Sequence, residues 1–459
     1  MQNSEVASVA GEVEKTSAKV SSFLLPSLLG VFLFMTPIPY NDTITIPVAV
    51  LAKLFTAGIG DWAKWLTTAL ICSSALMSSY VMLAKPTWLA KSPLLTALFK
   101  LTPGWYAVRM AGAALVLAVA FGWGPEIVRS GDTGGLILFD LMPTLLGVFL
   151  FAGMLLPLLL YFGLLELVGT LMSTIMRPLF TLPGRGAIDS LASWLGDGSV
   201  GIMLTTKQYE DGHYTQREGV VMATTFSTVS ITFSLVVLAQ VRLEHMFLQF
   251  YAAVCVAGFA AAVITPRIPP LSLFRDSYIN GKQRRGDEDL IPQGHTTLSW
   301  GWYQALQQAQ RASKPGMVLQ QGLKNVADLW IGVLPVIMAV GTTALVIAET
   351  TPLFTWLGMP FIPVLELLRV PEAAKASETL MVGFADMFVP SILAASIETE
   401  MTRFIIAAVS VTQLIYLSEV GALILGSKLP VKLWQLFIIF LMRTMVTLPV
   451  IAMMAHLFF

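Results

Sequence analysis

The chain has 459 residues, 56% of them hydrophobic and only 12% charged, with 28 basic and 28 acidic side chains cancelling to a formal net charge of zero. A soluble domain carries roughly 25% charged residues, so a globular fold exposed to water on all sides is excluded. A neutral balance also removes the electrostatic pull toward nucleic acid, and none is expected as a partner. Cys72 and Cys255 both fall within apolar runs, which indicates neither a disulfide framework nor a zinc site.

Residues 1–22 are polar, include Glu5, Glu12, Glu14, Lys15 and Lys19, and read as a cytoplasmic tail rather than a signal peptide. Apolar runs of bilayer-crossing length then recur at about 23–40, 62–84, 105–124, 137–165, 219–240, 246–265, 326–348, 403–425 and 432–457. This patterning predicts an all-α polytopic membrane protein of about nine transmembrane helices. Three further apolar stretches, 44–57, 187–206 and 376–397, are too short or too interrupted by Gly and Pro to cross. The stretch 44–57 is taken as an interfacial segment of the three-span region 23–136, and the other two as re-entrant hairpins.

Orientation follows from the basic loops. Residues 85–103 hold Lys85, Lys91 and Lys100, and the linker 266–325 holds Arg267, Arg275, Lys282, Arg284, Arg285, Arg311, Lys314 and Lys324. Both lie in the cytoplasm if the N-terminus does, which places the C-terminus in the periplasm. The linker ends in WGWYQALQQAQRASKPGMVLQQGLKNV, a pattern suited to a surface helix.

The segments 137–265 and 326–459 repeat one another weakly. GMLLPLLLYFGLLELV (153–168) lies opposite IGVLPVIMAVGTTALV (331–346), and SWLGDGSVGIML (193–204) opposite MVGFADMFVPSIL (381–393). Asp197 thereby meets Asp386, Arg217 meets Arg403, Thr224 meets Ser410, and Ser227 meets Gln413. An odd number of spans separates the two starts, so the copies are expected to have inverted topology. Inverted repeats interrupted at matching positions point to a secondary transporter whose site lies where the interruptions meet. Gly196, Gly198, Gly201, Gly383 and Pro390 are the residues expected to break the helices.

Two stretches carry a family resemblance: SLASWLGDGSVGIMLTTKQYEDGHYTQREGVVMATTFSTVSITFS (190–234) and FADMFVPSILAASIETEMTRFIIAAVSVTQLIYLSEVGALIL (384–425). Together they resemble the nucleoside-recognition, or Gate-domain, membrane proteins of the bacterial inner membrane, of the YjiH type, over roughly residues 137–457. The group also includes concentrative nucleoside transporters, the membrane region of FeoB, and the spore maturation A and B proteins. The resemblance implies a transporter fold with solute bound between two hairpin tips and the helices that follow them. The glutamine–threonine–glutamate signature of nucleoside transporters is absent, with Leu195-Gly196-Asp197-Gly198-Ser199 in its place. No GxxxxGK[ST] phosphate loop occurs, so FeoB-like nucleotide hydrolysis has no motif.

Ionisable groups inside a membrane are functional candidates by default. Asp197 and Asp386 at the two tips suit coordination of Na⁺ or sharing of H⁺, or else helix capping. Ser199 and Ser391 stand beside them, and Thr224, Ser227, Ser410, Gln413 and Glu419 lie on the following helices at steps of three and four. Arg443 is a candidate partner for Glu419, whereas Glu166, Glu349 and Glu366 read as solvated interfacial groups. The expected function is secondary transport of a small polar solute, without catalytic or metal-ligating residues and without a cofactor beyond Na⁺ or H⁺ as coupling ion. The alternative is an accessory Gate protein acting with a smaller partner or a second copy of itself. A remote third is an intramembrane aspartyl protease, whose GxGD motif is replaced here by Trp194-Leu195-Gly196-Asp197.

Overall fold

The computed structural model describes residues 20–36, 38–40, 43–86, 89, 92–195, 198–226, 231–284, 291–292, 294–312 and 316–459. Asp197 and Ser227, and the tail up to residue 19, lie outside the described residues. The fold is that of an all-α membrane protein, and six of its described helices are long and apolar enough to cross a bilayer.

The N-terminal region comprises α1 (Val20–Met35), a two-stranded antiparallel ladder of β1 (Ile38–Tyr40) and β2 (Thr43–Thr45), α2 (Pro47–Ile59), α3 (Trp62–Ala84) and α4 (Pro103–Phe121). Pro47 and Pro103 each occupy a first helical position, where a missing N–H costs nothing. Helix α2 has 13 residues, some 20 Å at 1.5 Å per residue, too short to span. Helices α3 and α4 are long and apolar enough to cross a bilayer.

The two halves that follow have the same order of parts. The first begins with the span α5 (Leu136–Leu160), whose first turn is π-helical. It ends earlier than its apolar run predicts because Gly163 adopts φ +99°, a left-handed conformation that closes the helix and redirects the chain. There follow the amphipathic α6 (Leu164–Phe180), two mutually packed short helices α7 (Gly186–Leu195) and α8 (Gly198–Glu210), then α9 (Gln216–Thr225) and α10 (Ile231–Gln240), and the helix α11 (Phe247–Ile264). A capping box starts α9: the Thr215 hydroxyl accepts from the Glu218 amide while the Glu218 carboxylate accepts from the Thr215 amide.

After the linker helix α12 (Thr297–Ala312), which packs on α6, the second half runs through α13 (Met317–Thr350), the short apolar α14 (Leu353–Leu367), the packed pair α15 (Ala373–Val382) and α16 (Val389–Ala394), then α17 (Glu400–Gln413) and α18 (Val420–Gly426), and the span α19 (Leu433–Phe458). The runs 219–240 and 403–425, read from sequence as single spans, are each divided into two helices. In the second, Leu414 at φ +60° ends α17, and Ile415–Ser418 leave the helix to bond the neighbouring pair: the Leu417 amide donates to the Phe384 carbonyl at 2.8 Å and the Ser418 amide to the Ala385 carbonyl at 2.9 Å.

The halves interlock reciprocally. Helix α10 of the first packs on α16 of the second, and α18 of the second packs on α8 of the first. Gly201 does not break a helix as expected. It lies inside α8, and a Cβ there would stand 2.5 Å from the Ser193 Cβ of α7, so its role is to let the two arms touch.

Candidate functional site

A cavity of about 680 Å³ opens where the interruptions converge. Gly198 at the start of α8, Asp386 to Phe388 between α15 and α16, Val389 at the start of α16, and Phe233 of α10 form part of its wall. Tyr416, Ser418 and Glu419 supply the stretch between α17 and α18, while Asp132, Asp140 and Glu349 stand around it from α5, α13 and the segment before α5. Phe233 and Phe388 meet edge to face across the halves at 5.9 Å between centroids.

Asp386 is held by its surroundings. One carboxylate oxygen accepts from the Phe388 and Val389 amides at 2.7 and 3.1 Å, capping α16, and the other accepts from the Ser418 hydroxyl at 2.7 Å. Glu419 precedes α18 and accepts from the Tyr416 hydroxyl at 3.3 Å. Both carboxylates therefore reach the cavity from non-helical backbone, which survives at membrane depth only when it is buried in protein or lines such a space.

The remaining described candidates, Ser199, Thr224, Ser391, Ser410 and Gln413, are not among the cavity's described lining residues. Ser199 is fully buried in α8. Thr224, Ser391 and Ser410 donate to carbonyls of their own or adjoining turns, Val220, Phe388 and Ala407, at 2.7, 2.6 and 2.9 Å. Gln413 donates to the Leu380 carbonyl at 3.1 Å and to the Thr444 hydroxyl at 2.9 Å, tying α17 to α15 and α19.

Two pairings differ from expectation. Arg443, 1% exposed, does not meet Glu419. Its guanidinium donates through Nε and Nη2 to the Thr412 carbonyl at 3.2 and 2.8 Å, the better geometry because the end of α17 leaves carbonyls without helical partners. Glu166 is not a free interfacial group but pairs with Arg185 at 3.2 Å.

Two features escaped the sequence reading. Asp189, 1% exposed in α7, accepts from Thr205 Oγ1 at 3.1 Å, from the Tyr214 hydroxyl at 2.8 Å and from the Gln208 amide. Its partners lie 16 to 25 residues away, and no local spacing announces them. A second cavity, about 280 Å³, lies toward the linker between α8, α18 and the first turns of α13, with Glu210, Asn325, Asp328 and Lys428 on its walls.

Residues 142–244, from α5 to just past α10, match the Gate family, described as nucleoside recognition. Over 448 residues the chain is 46% identical to an uncharacterized protein of Alkalihalophilus pseudofirmus, covering 98% of this chain and 96% of that one. The chain belongs to the Gate-domain family. Its match begins at α5 and takes in the α7–α8 pair and the divided α9–α10 segment, the parts from which the first half of the cavity is built. Gate domain and apolar spans together make this a membrane protein with a role related to transport. No solved structure matches the chain.

Proposed function

We propose that this Gate-domain protein is a secondary transporter, or the transport subunit of one, that binds a small polar solute in the 680 Å³ cavity. On this reading the α7–α8 and α15–α16 pairs are re-entrant hairpins of inverted repeats, and the divided helices complete up to nine crossings in a bacterial inner membrane. The N-terminus is cytoplasmic and the C-terminus periplasmic. The observation that carries the reading is that one cavity is lined at once by the junction regions of both pairs and by residues from both divided segments.

Among its described lining residues stand five carboxyl groups and no lysine, arginine or histidine. A solute bearing positive charge, or one accompanied by Na⁺ or H⁺, fits that wall, since hard cations favour carboxylate and carbonyl oxygens. The chain is purified alone and reconstituted, and uptake of candidate solutes is measured with and without Na⁺ and proton gradients. Asp386→Asn and Glu419→Gln are each expected to lower flux about ten-fold or more, the cost of a lost charge-assisted contact. Full flux in both variants removes these carboxylates from the mechanism, and the absence of any solute flux by the parent rejects the transporter.

A further inference from the structure

The two cavities lie at opposite ends of the same helices. Asn325 and Asp328 of α13 line the smaller one and Glu349 the larger, a separation of 21 residues or roughly 30 Å along a helix, close to the hydrocarbon thickness. Each cavity combines one hairpin arm with the second piece of the other half's divided helix: α8 with α18 on the linker side, and α16 with α10 on the opposite side.

At the linker side that seam is tied. Lys428, just beyond α18, reaches Glu210 at the end of α8 at 3.2 Å, so the ion pair joins the two halves. Lys207 backs the same carboxylate at 3.6 Å and Asp211 at 3.5 Å. At the opposite side the residue in the place of Lys428 is Arg242, just beyond α10, by the same offset that sets Arg217 opposite Arg403. Arg242 borders an open cleft with Ala395, which follows α16, and is exposed without an ion pair among the described residues. Three residues past Ala395 stands exposed Glu398.

We infer that Glu210–Lys428 is the latch that closes the linker-side entrance, and that Arg242 is the corresponding latch residue of the opposite entrance, left open in this state and closing on the Glu398 turn when the first latch parts. The inference rests on the transport reading, in which one inverted repeat rocks against the other around a fixed site. The difference in cavity volume, 280 against 680 Å³, runs in the sense that a tied and an untied entrance require.

The test uses full-length protein in nanodiscs, where both faces are accessible, with Cys72 and Cys255 replaced by alanine. Gly332→Cys reports on the linker-side cavity, where a Cβ meets nothing within 4 Å, and Thr144→Cys reports on the larger one. Labelling by an impermeant maleimide is timed for each. Lys428→Glu is expected to speed labelling at 332 and slow it at 144, each by about three- to five-fold, the population shift a partly exposed ion pair can supply. Glu210→Lys added to Lys428→Glu restores both rates, which shows that the single variant was folded. Arg242→Glu added to Lys428→Glu raises labelling at 144 again.

Unchanged rates in Lys428→Glu, or failure of the exchanged pair to restore them, overturn the latch. Faster labelling at 332 without slower labelling at 144 overturns the coupling between entrances. Rate changes as expected in a protein that carries no solute leave the latch standing and reject the transporter instead.

Discussion

The α7–α8 and α15–α16 pairs occupy the same place in the order of helices but hold their described aspartates differently. In α7–α8 the carboxylate of Asp189 sits near the start of the first arm, buried and saturated by Thr205, Gln208 and Tyr214. In α15–α16 the carboxylate of Asp386 sits in the turn between the arms, where it caps α16, takes a hydroxyl from Ser418 and faces the cavity. The first fixes the unit internally and the second fixes it to the neighbouring broken helix. The two pairs share an order of helices, while one holds its carboxylate inside the pair and the other turns it toward the cavity and the neighbouring segment.

The largest effect is expected where burial is deepest. Asp189→Ala leaves three donors in a dry interior, each costing about 1–3 kcal/mol when unsatisfied, so a loss of about 3 kcal/mol or more is expected. The measurement is the thermal unfolding midpoint in detergent. Asp386→Ala removes a cap, for which about 1 kcal/mol is the usual cost, yet it is expected to abolish most flux. Equal thermal losses with equal flux losses would erase the distinction between the two helix pairs.

A glycine pair sharpens the same comparison. A methyl group at Gly201 meets the Ser193 Cβ at 2.5 Å, and neither arm can yield without moving backbone. A methyl at Gly383 meets chiefly the end of the Gln413 side chain, at 2.3 Å, which is buried and yields only by giving up its bonds to the Leu380 carbonyl and the Thr444 hydroxyl. Gly201→Ala should therefore cost about 1–3 kcal/mol as an overpacked contact that loosens the first pair, and Gly383→Ala about 1–3 kcal/mol through two lost hydrogen bonds, which loosens the second. Limited proteolysis at residues 211–215 ranks the two; a more protected Gly201→Ala than Gly383→Ala contradicts the tight first arm.

The continuous spans were legible because hydrocarbon demands a long apolar run, and α3, α4 and α19 begin and end within a few residues of theirs. Asp386 and Glu419, singled out in the sequence as ionisable groups within apolar stretches, both line the larger cavity. Spacing alone does not say what a hydroxyl bonds: Thr224 and Ser410, on their helices, and Ser391 beside Asp386 donate to backbone carbonyls of their own or adjoining turns. Arg443 suggested Glu419 by charge, yet its partner is the Thr412 carbonyl, and a helix end exposed by Leu414 at φ +60° writes no motif. Asp132, Asp140 and Glu349 reach one cavity only through tertiary closure of segments some 200 residues apart. Periodicity records which residues share an element, not which elements meet.

The smallest effect lies at the start of the second pair, on the surface. Glu372 precedes α15, and its carboxylate is held below its ordinary value of 4.5 first by the hydrogen bond from Lys375, then by the Thr399 amide and hydroxyl. The charged form is thus favoured in the folded protein over the unfolded chain. Its stabilisation is complete above the unfolded value and is lost as pH falls through the lower folded one, so the window lies below about pH 4.5. Glu372→Gln should lower the melting temperature slightly at pH 7 and converge with the parent near pH 3. Because Thr399 leads into α17, the same variant loosens the entry to that helix, whereas the end of the first pair is tied by Tyr161 to Asp211 at 2.8 Å. A gap between Glu372→Gln and the parent that persists unchanged at pH 3 would mean that Glu372 acts through packing rather than charge.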